Sequence, residues 1–258
     1  MLVRALIGAV LSAFLAVAAR RTRTLVTSGA IAGVMVGTIS IAAGWSWGAL
    51  LLSLFLSASA LSRLGERKKA ERVGPVVEKG GERDAGQVLA NGSVFALAAL
   101  GSLLAPSPIW YAMGAGALAA STADTWATEI GTLEGGDPIS IISGKTVAPG
   151  TSGGITIVGT VAEVGGALFI GAVASLANWP APFAAIALGG VAGALADSVL
   201  GATLQSRRWC ELCATATERL VHTCGTPTRH AGGLAGFDND AVNAACSTVG
   251  ALVALLLS

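Results

Sequence analysis

Acidic side chains are scarce in this chain, and four of them stand out at the ends of apolar runs: Asp124, Glu129, Glu163 and Asp197. A carboxylate in or beside hydrocarbon is costly unless it pairs or faces water, so a position that keeps one is a candidate for chemistry. Asp124 belongs to Ser121-Thr122-Ala123-Asp124-Thr125-Trp126-Ala127-Thr128-Glu129, and Asp197 to Ala194-Leu195-Ala196-Asp197-Ser198-Val199-Leu200-Gly201. Both read Ala-Asp followed by a hydroxyl residue, Thr125 or Ser198. Two related helices that present a carboxylate and a hydroxyl each to a shared site would look like this. Hard oxygen ligands from separate helices suit Mg2+, which binds through one or two carboxylates while keeping waters and substrate phosphates. The plainer reading, a cap or an interhelical hydrogen bond, explains one such aspartate more readily than two at matched depth.

Amides accompany the acids. Asp84, Gln87 and Asn91 are spaced i, i+3 and i+7, which puts them on one helical face. Asp238-Asn239-Asp240, followed by Asn243, opens the last apolar run in the same manner. A helix N-cap accounts for one of Asp238, Asn239 or Asp240. It does not account for Asn91 or Asn243, which read either as substrate contacts or as polar glue between helices. Gly150-Thr151-Ser152-Gly153-Gly154 runs directly into an apolar segment, where backbone N–H groups at a helix start would make an anion site with Lys145 close by in sequence. Gly-Lys-Thr at 144–146 is no P-loop, since the upstream glycine and strand are missing. Finally, Cys210-x2-Cys213 and His222-x-Cys224, with His230 beyond, supply the ligand types and number of a tetrahedral zinc knuckle. Reduced inert thiols and redox chemistry remain the alternatives, and Cys246 reads as packing.

These residues need elements to hold them, and the composition says which. Of 258 residues 53% are hydrophobic and 12% charged, against roughly 25% charged in a soluble domain. Runs 2–19, 25–43, 46–62, 88–105, 109–130, 154–176, 181–204 and 240–257 each approach the length that crosses hydrocarbon as helix. The alternating segments of a barrel are missing. An all-α, polytopic integral membrane bundle of about eight transmembrane helices is expected, as a single membrane domain over 1–258. The first run is expected as a retained helix, because its basic cluster Arg20, Arg21 and Arg23 follows it. The 35 glycines, including Gly29/Gly33/Gly37 and Gly189/Gly193, predict close helix approach.

Every basic residue except Arg4 falls in the odd-numbered connections. The positive-inside rule then makes loops 65–87, 131–153 and 205–239 cytoplasmic and puts both termini on the opposite side of the inner or plasma membrane. Trp45, Trp47, Trp110 and Trp179 are expected at that opposite interface. Arg67, Lys68, Lys69 and Arg72 read as a topology signal with affinity for anionic lipid. No nucleic-acid partner is expected.

Four segments carry a resemblance: Arg-Asp-Ala-Gly-Gln-Val-Leu-Ala-Asn-Gly at 83–92, Ser-Thr-Ala-Asp-Thr-Trp-Ala-Thr-Glu-Ile-Gly at 121–131, Pro-Gly-Thr-Ser-Gly-Gly-Ile-Thr at 149–156 and Asn-Asp-Ala-Val-Asn at 239–243. In order, over nearly the whole chain, they resemble the DUF92 or transmembrane protein 19 family, which includes the phytyl-phosphate kinases of plastids and cyanobacteria. The resemblance implies an enzyme that phosphorylates an isoprenoid monophosphate to the diphosphate with a nucleoside triphosphate, plausibly CTP, and Mg2+. On that reading Asp124, Glu129, Asp197 and Asp240 hold Mg2+. Lys145 and Thr151, Ser152, Gly153 and Gly154 take the donor phosphates. Asn91, Asn239 and Asn243 orient the acceptor, and Asp84, Gln87, Thr125, Thr128 and Ser198 complete the substrate contacts. Cys210, Cys213, His222 and Cys224 are a separate candidate Zn2+ set. The partners are then the bilayer, an isoprenoid phosphate and a nucleotide, with room for a homo-oligomer. Two rivals stay open: a CTP-dependent cytidylyltransferase acting on a lipid phosphate, and a transporter of small solutes or ions.

Overall fold

The computed structural model describes residues 1–134 and 136–258. Eight long helices stand where the apolar runs are: α1 (Leu2–Arg21), α2 (Thr27–Ala43), α3 (Trp45–Arg63), α5 (Ala85–Leu104), α6 (Pro108–Glu134), α7 (Ile157–Leu176), α8 (Phe183–Thr203) and α9 (Asn239–Leu256), with a short polar α4 (Glu66–Val73) between α3 and α5. Local chemistry sets the starts. Asp84 and Gln87 form a capping box on α5, Thr156 accepts from Gly159 N on α7, and Asp238 accepts from Ala241 N on α9. Pro108 occupies the first position of α6, where its missing N–H costs nothing.

Six of these helices, α1, α3, α5, α7, α8 and α9, are long and apolar enough to cross a membrane on their own. The other two show why the count of eight is approximate. α2 is apolar but only 17 residues long. α6 runs for 27 residues and carries Asp124, Glu129 and Glu134, yet it is packed by α3, α5, α7, α8 and α9. A helix wrapped by protein need not be apolar toward lipid. Outward-facing residues such as Leu6, Val10, Phe14, Met35, Leu97, Val161 and Leu188 give the bundle its apolar exterior.

Small residues close the centre. An added Cβ on Gly189 would lie 2.7 Å from Gly250 O, one on Gly193 2.7 Å from Cys246 O, and one on Gly250 2.6 Å from Gly116 O, so α6, α8 and α9 meet backbone to backbone. The Gly29/Gly33/Gly37 row divides its work instead. Gly29 abuts Arg83 O, Gly37 abuts Ser12 of α1, and Gly33 borders open space save for Leu25. Trp47 and Trp179 differ from expectation: they are buried in an aromatic cluster with Phe95 and Tyr111, with ring centroids 4.7–5.3 Å apart, rather than forming an interfacial belt. Trp45 remains exposed.

The opposite, charged end gathers the odd-numbered connections. Thr24 O accepts from Arg83 N and Arg83 O from Val26 N; Arg63 donates to Thr24 Oγ1; and Arg219 Nε donates to Gly74 O. Two small sheets unforeseen in the sequence lie here: an antiparallel pair of β1 (Ile139–Ser140) with β2 (Gly154–Ile155), and a sheet ordered β4 (Thr215–Thr217), β3 (Arg207–Cys210), β5 (Arg229–Gly232). Because Gly154 and Ile155 pair as β2, the sixth long helix starts at Ile157 rather than 154.

Candidate functional site

α6, α7 and α8 bring Asp124, Glu163 and Asp197 together, each within coulombic reach of another in the set. Glu163 is buried and the two aspartates are half-buried. Glu163 Oε1 and Asp197 Oδ2 are buried without a hydrogen-bond partner. Three carboxyl groups in a helical core are unfavourable together if ionised, and two orphaned oxygens add to the cost. A hard divalent cation relieves both, so the donor set fits Mg2+. Among the described residues the three carboxylates do not lie close enough together to form a metal cage by themselves. Glu163, noticed in the sequence as an acid but given no role there, joins the matched aspartates only through the packing of α7 on α6.

Glu129 and Asp240 are placed differently from the metal role expected of them. Glu129 pairs with Lys69 and accepts from Ser62 Oγ at 2.5 Å, so both its oxygens are occupied. Asp240 accepts from Lys79 Nζ at 2.5 Å, while Lys79 also lies 3.0 Å from Asp84. One Asp240 oxygen, Oδ1, is left buried and unpartnered. The Gln87 backbone, and then the Lys79 ammonium, hold the Asp84 carboxyl below its ordinary range. Lys79 loses some affinity for its proton to burial, but hydrogen bonds to Asp240 and Asp84 raise its pKa overall.

Beside the acids lies an apolar groove of about 160 Å³ between α1, α2, α3 and α5. Ser12, Leu15, Val36, Leu51 and Phe55 are among its walls, and Arg83, Gln87, Asn91 and Thr125 form its polar end. Arg83 donates to Ser62 Oγ at 2.7 Å and to Ala58 O at 3.3 Å; burial lowers its pKa while Glu129 opposes that. Asn91 donates to Gln87 O, and Thr125 donates to Ser121 O. Asp124 and Thr125 are successive residues of α6, one toward the acids and one on the groove.

A second, polar cleft of about 210 Å³ is lined by Glu78, Lys79, Gln205, Arg208, Glu218, Asp238, Asn239 and Asp240, among others. It adjoins the groove at the start of α5, where Gly86 touches Asp240 and the next residue, Gln87, lines the groove. Ser152 Oγ and Gln205 Nε2 both donate to Glu218, which lies within coulombic reach of Asp197. Burial pushes the Glu218 carboxyl up despite those bonds.

The 150–154 turn is less open to anions than its sequence implies. Thr151 N and Gly154 N are bonded within the loop, Ser152 is on Glu218, and Gly153 packs against Ser198 O. Thr156 caps α7 in place of an anion. Lys145 and Thr128 are exposed, and Asn243 is half-buried beside the acids' end of α9. Arg83, Lys79 and Lys69 were readable only as topology charges, because nothing in a loop sequence marks which basic side chain turns inward. Cys210, Cys213, His222 and Cys224 converge, away from the carboxylates in the fold, at the tip of the three-stranded sheet.

The four segments that frame the groove and the acids span the chain from 83 to 243, and the model of the family described as "Integral membrane protein DUF92" matches residues 10–251. The chain belongs to the DUF92 family. Protein PGR of Arabidopsis thaliana is 32% identical over 269 residues, covering 93% of this chain and 91% of that protein. An uncharacterized membrane protein of Methanocaldococcus jannaschii is 33% identical over 210 residues, 80% of this chain and 85% of its own length. An uncharacterized membrane protein of Synechocystis sp. is 31% identical over 180 residues, 67% and 69% of the two chains. No solved structure matches this DUF92 chain.

Proposed function

We propose that this DUF92 protein is a membrane phosphotransferase that moves the terminal phosphoryl group of a nucleoside triphosphate, such as CTP, onto an isoprenyl monophosphate. The observation that carries the reading is the junction on α6, where Thr125 lines the apolar groove and Asp124 joins Glu163 and Asp197. A substrate with a long apolar tail and a phosphate head needs both surfaces within one residue of each other. Its tail lies along α1, α2 and α3. Its phosphate meets Arg83 and Asn91 at the polar end, and an arginine there pairs with phosphate through several N–H donors.

The polar cleft beside Asp240 takes the donor, with Lys79, Arg208 and Asn239 on its wall. Asp124, Glu163 and Asp197 are the residues that hold Mg2+, which when bound neutralises charge on the transferring group. A monophosphate acceptor is already anionic, so the side chains have only to position and neutralise, and no strong general base is needed. The basic connections orient this end toward the cytoplasm, where nucleotide is available.

The test is incubation of the detergent-purified chain with Mg2+, γ-labelled CTP or ATP, and isoprenyl monophosphates of several lengths. Label in an isoprenyl diphosphate supports the proposal. Release of pyrophosphate with a CMP-lipid would replace it with cytidylyl transfer, and no transfer of either kind would overturn it in favour of transport, assayed in proteoliposomes.

A further inference from the structure

The connection between α8 and α9 carries four convergent ligands that phosphoryl transfer does not use. We infer that Cys210, Cys213, His222 and Cys224 form a closed, structural zinc site. Their ligand atoms all lie within 4.8 Å of one another. Cys210 Sγ and Cys224 Sγ are 3.6 Å apart, and His222 Nδ1 is 3.3 Å from Cys224 Sγ. A tetrahedron built on Zn–S bonds of about 2.3 Å has edges of about 3.8 Å, whereas a disulfide would need about 2.05 Å. The spacing is that of a tetrahedral zinc site and not of a disulfide.

Two tight turns deliver the ligands. Cys210 ends β3, the chain turns through Cys213, and Ala214 adopts φ +48° before β4 begins. In the second turn His222 N bonds Thr226 O, Gly225 N bonds His222 O, and Gly225 takes φ +84° directly after Cys224. A left-handed alanine persists only where its surroundings over-determine it, as ligation on the preceding residue would. His222 is buried, with Nδ1 turned toward Cys224 Sγ. Without a metal, three thiols and one imidazole can offer each other only weak hydrogen bonds. With four protein ligands the sphere is full, so the site is structural rather than catalytic.

Its place in the fold explains its use. The same sheet holds Arg208 on Thr228, and the strand leading from it sets Thr217 on Pro75 O and Glu218 N on Val76 O. A zinc ion at the sheet tip would therefore fasten a loop with little apolar core of its own against the 74–79 linker.

The test is metal analysis of the full-length chain purified in detergent from zinc-supplemented cells. About one zinc per chain is expected, retained in Cys246→Ser and reduced to roughly a tenth or less in Cys213→Ser. Co2+ exchanged into the unaltered chain should give the visible bands and thiolate charge transfer of a tetrahedral site, a reading that needs no variant. The three loop thiols should resist alkylation until a chelator is added. Absence of stoichiometric metal, with thiols that alkylate at once or only after a reductant, would overturn the zinc site in favour of free thiols or a disulfide.

Discussion

Lys69 and Glu129 form a buried ion pair across 60 residues of sequence, and the same ammonium caps α3 by donating to Leu61 O at 2.7 Å and Ser62 O at 2.9 Å. One side chain thus satisfies the last carbonyls of α3 and neutralises a carboxylate of α6. The side chains are only 9% and 20% exposed.

Lys69→Met should destabilise the protein by about 3–5 kcal/mol, because it strands a buried carboxylate. Adding Glu129→Gln should recover much of that loss. Thermal unfolding in detergent reads both, and a Lys69→Met protein that melts like the parent would contradict the pair's role. Phosphotransfer by Glu129→Gln should fall only as far as its folded fraction does.

Asp197→Asn should behave in the opposite way. It removes one of three mutually repelling acids, so the melting temperature should hold or rise. Turnover should drop on the order of 100-fold or more, the scale for losing a group that stabilises developing charge. Parallel turnover and melting curves check this, and a variant that is active but unstable would remove Asp197 from the site.

Glycines on different faces should respond differently to one methyl group. Gly193→Ala must displace Cys246 O and Ala120, and should cost about 1–3 kcal/mol by overpacking. Gly33→Ala meets nothing nearer than Leu25 Cδ1 at 3.8 Å, and should gain about 0.5–1 kcal/mol from helix propensity. Tryptophan fluorescence melts of the two variants should move to opposite sides of the parent.

Glu218 sits outside the spans, and burial raises its carboxyl pKa in the folded chain. The folded state then holds the proton more tightly than the unfolded one. Its contribution is fully present below the ordinary glutamate value of about 4.3 and is lost as pH rises through the folded pKa. In Glu218→Gln this part of the decline should vanish, leaving a flatter melting temperature from acid toward neutral pH. An unchanged slope would mean that another group sets it.

The order and approximate ends of the long helices were readable from the sequence, their number only approximately, because a span must satisfy its own backbone in about 20 apolar residues, a local requirement. Asp238 was legible as a candidate end signal for the same reason, whereas Asp84, read as sharing a helical face with Gln87 and Asn91, is instead the N-cap of α5; the motif segments located α5, α6 and α9. The grouping of Asp124 with Asp197 was visible because the two share a local pattern. Glu163 had no such pattern, and its place depends on Gly166 letting α7 approach Ala123 of α6 to about the limit of backbone contact.

What the tertiary structure alone decided is which charges face inward. Lys69 looked like its neighbours Arg67 and Lys68, yet only Lys69 is buried, because the short α4 lies across the ends of α3 and α6. Glu129 and Asp240 looked like partners of Asp124, but α6 and α9 turn them toward Lys69 and Lys79. The four zinc-type ligands were legible as residue types, while their convergence waited on the pairing of β3 with β4 and β5. Composition and periodicity report what each helix must do with lipid; partner choice among scarce polar groups is a property of packing, which no single segment encodes.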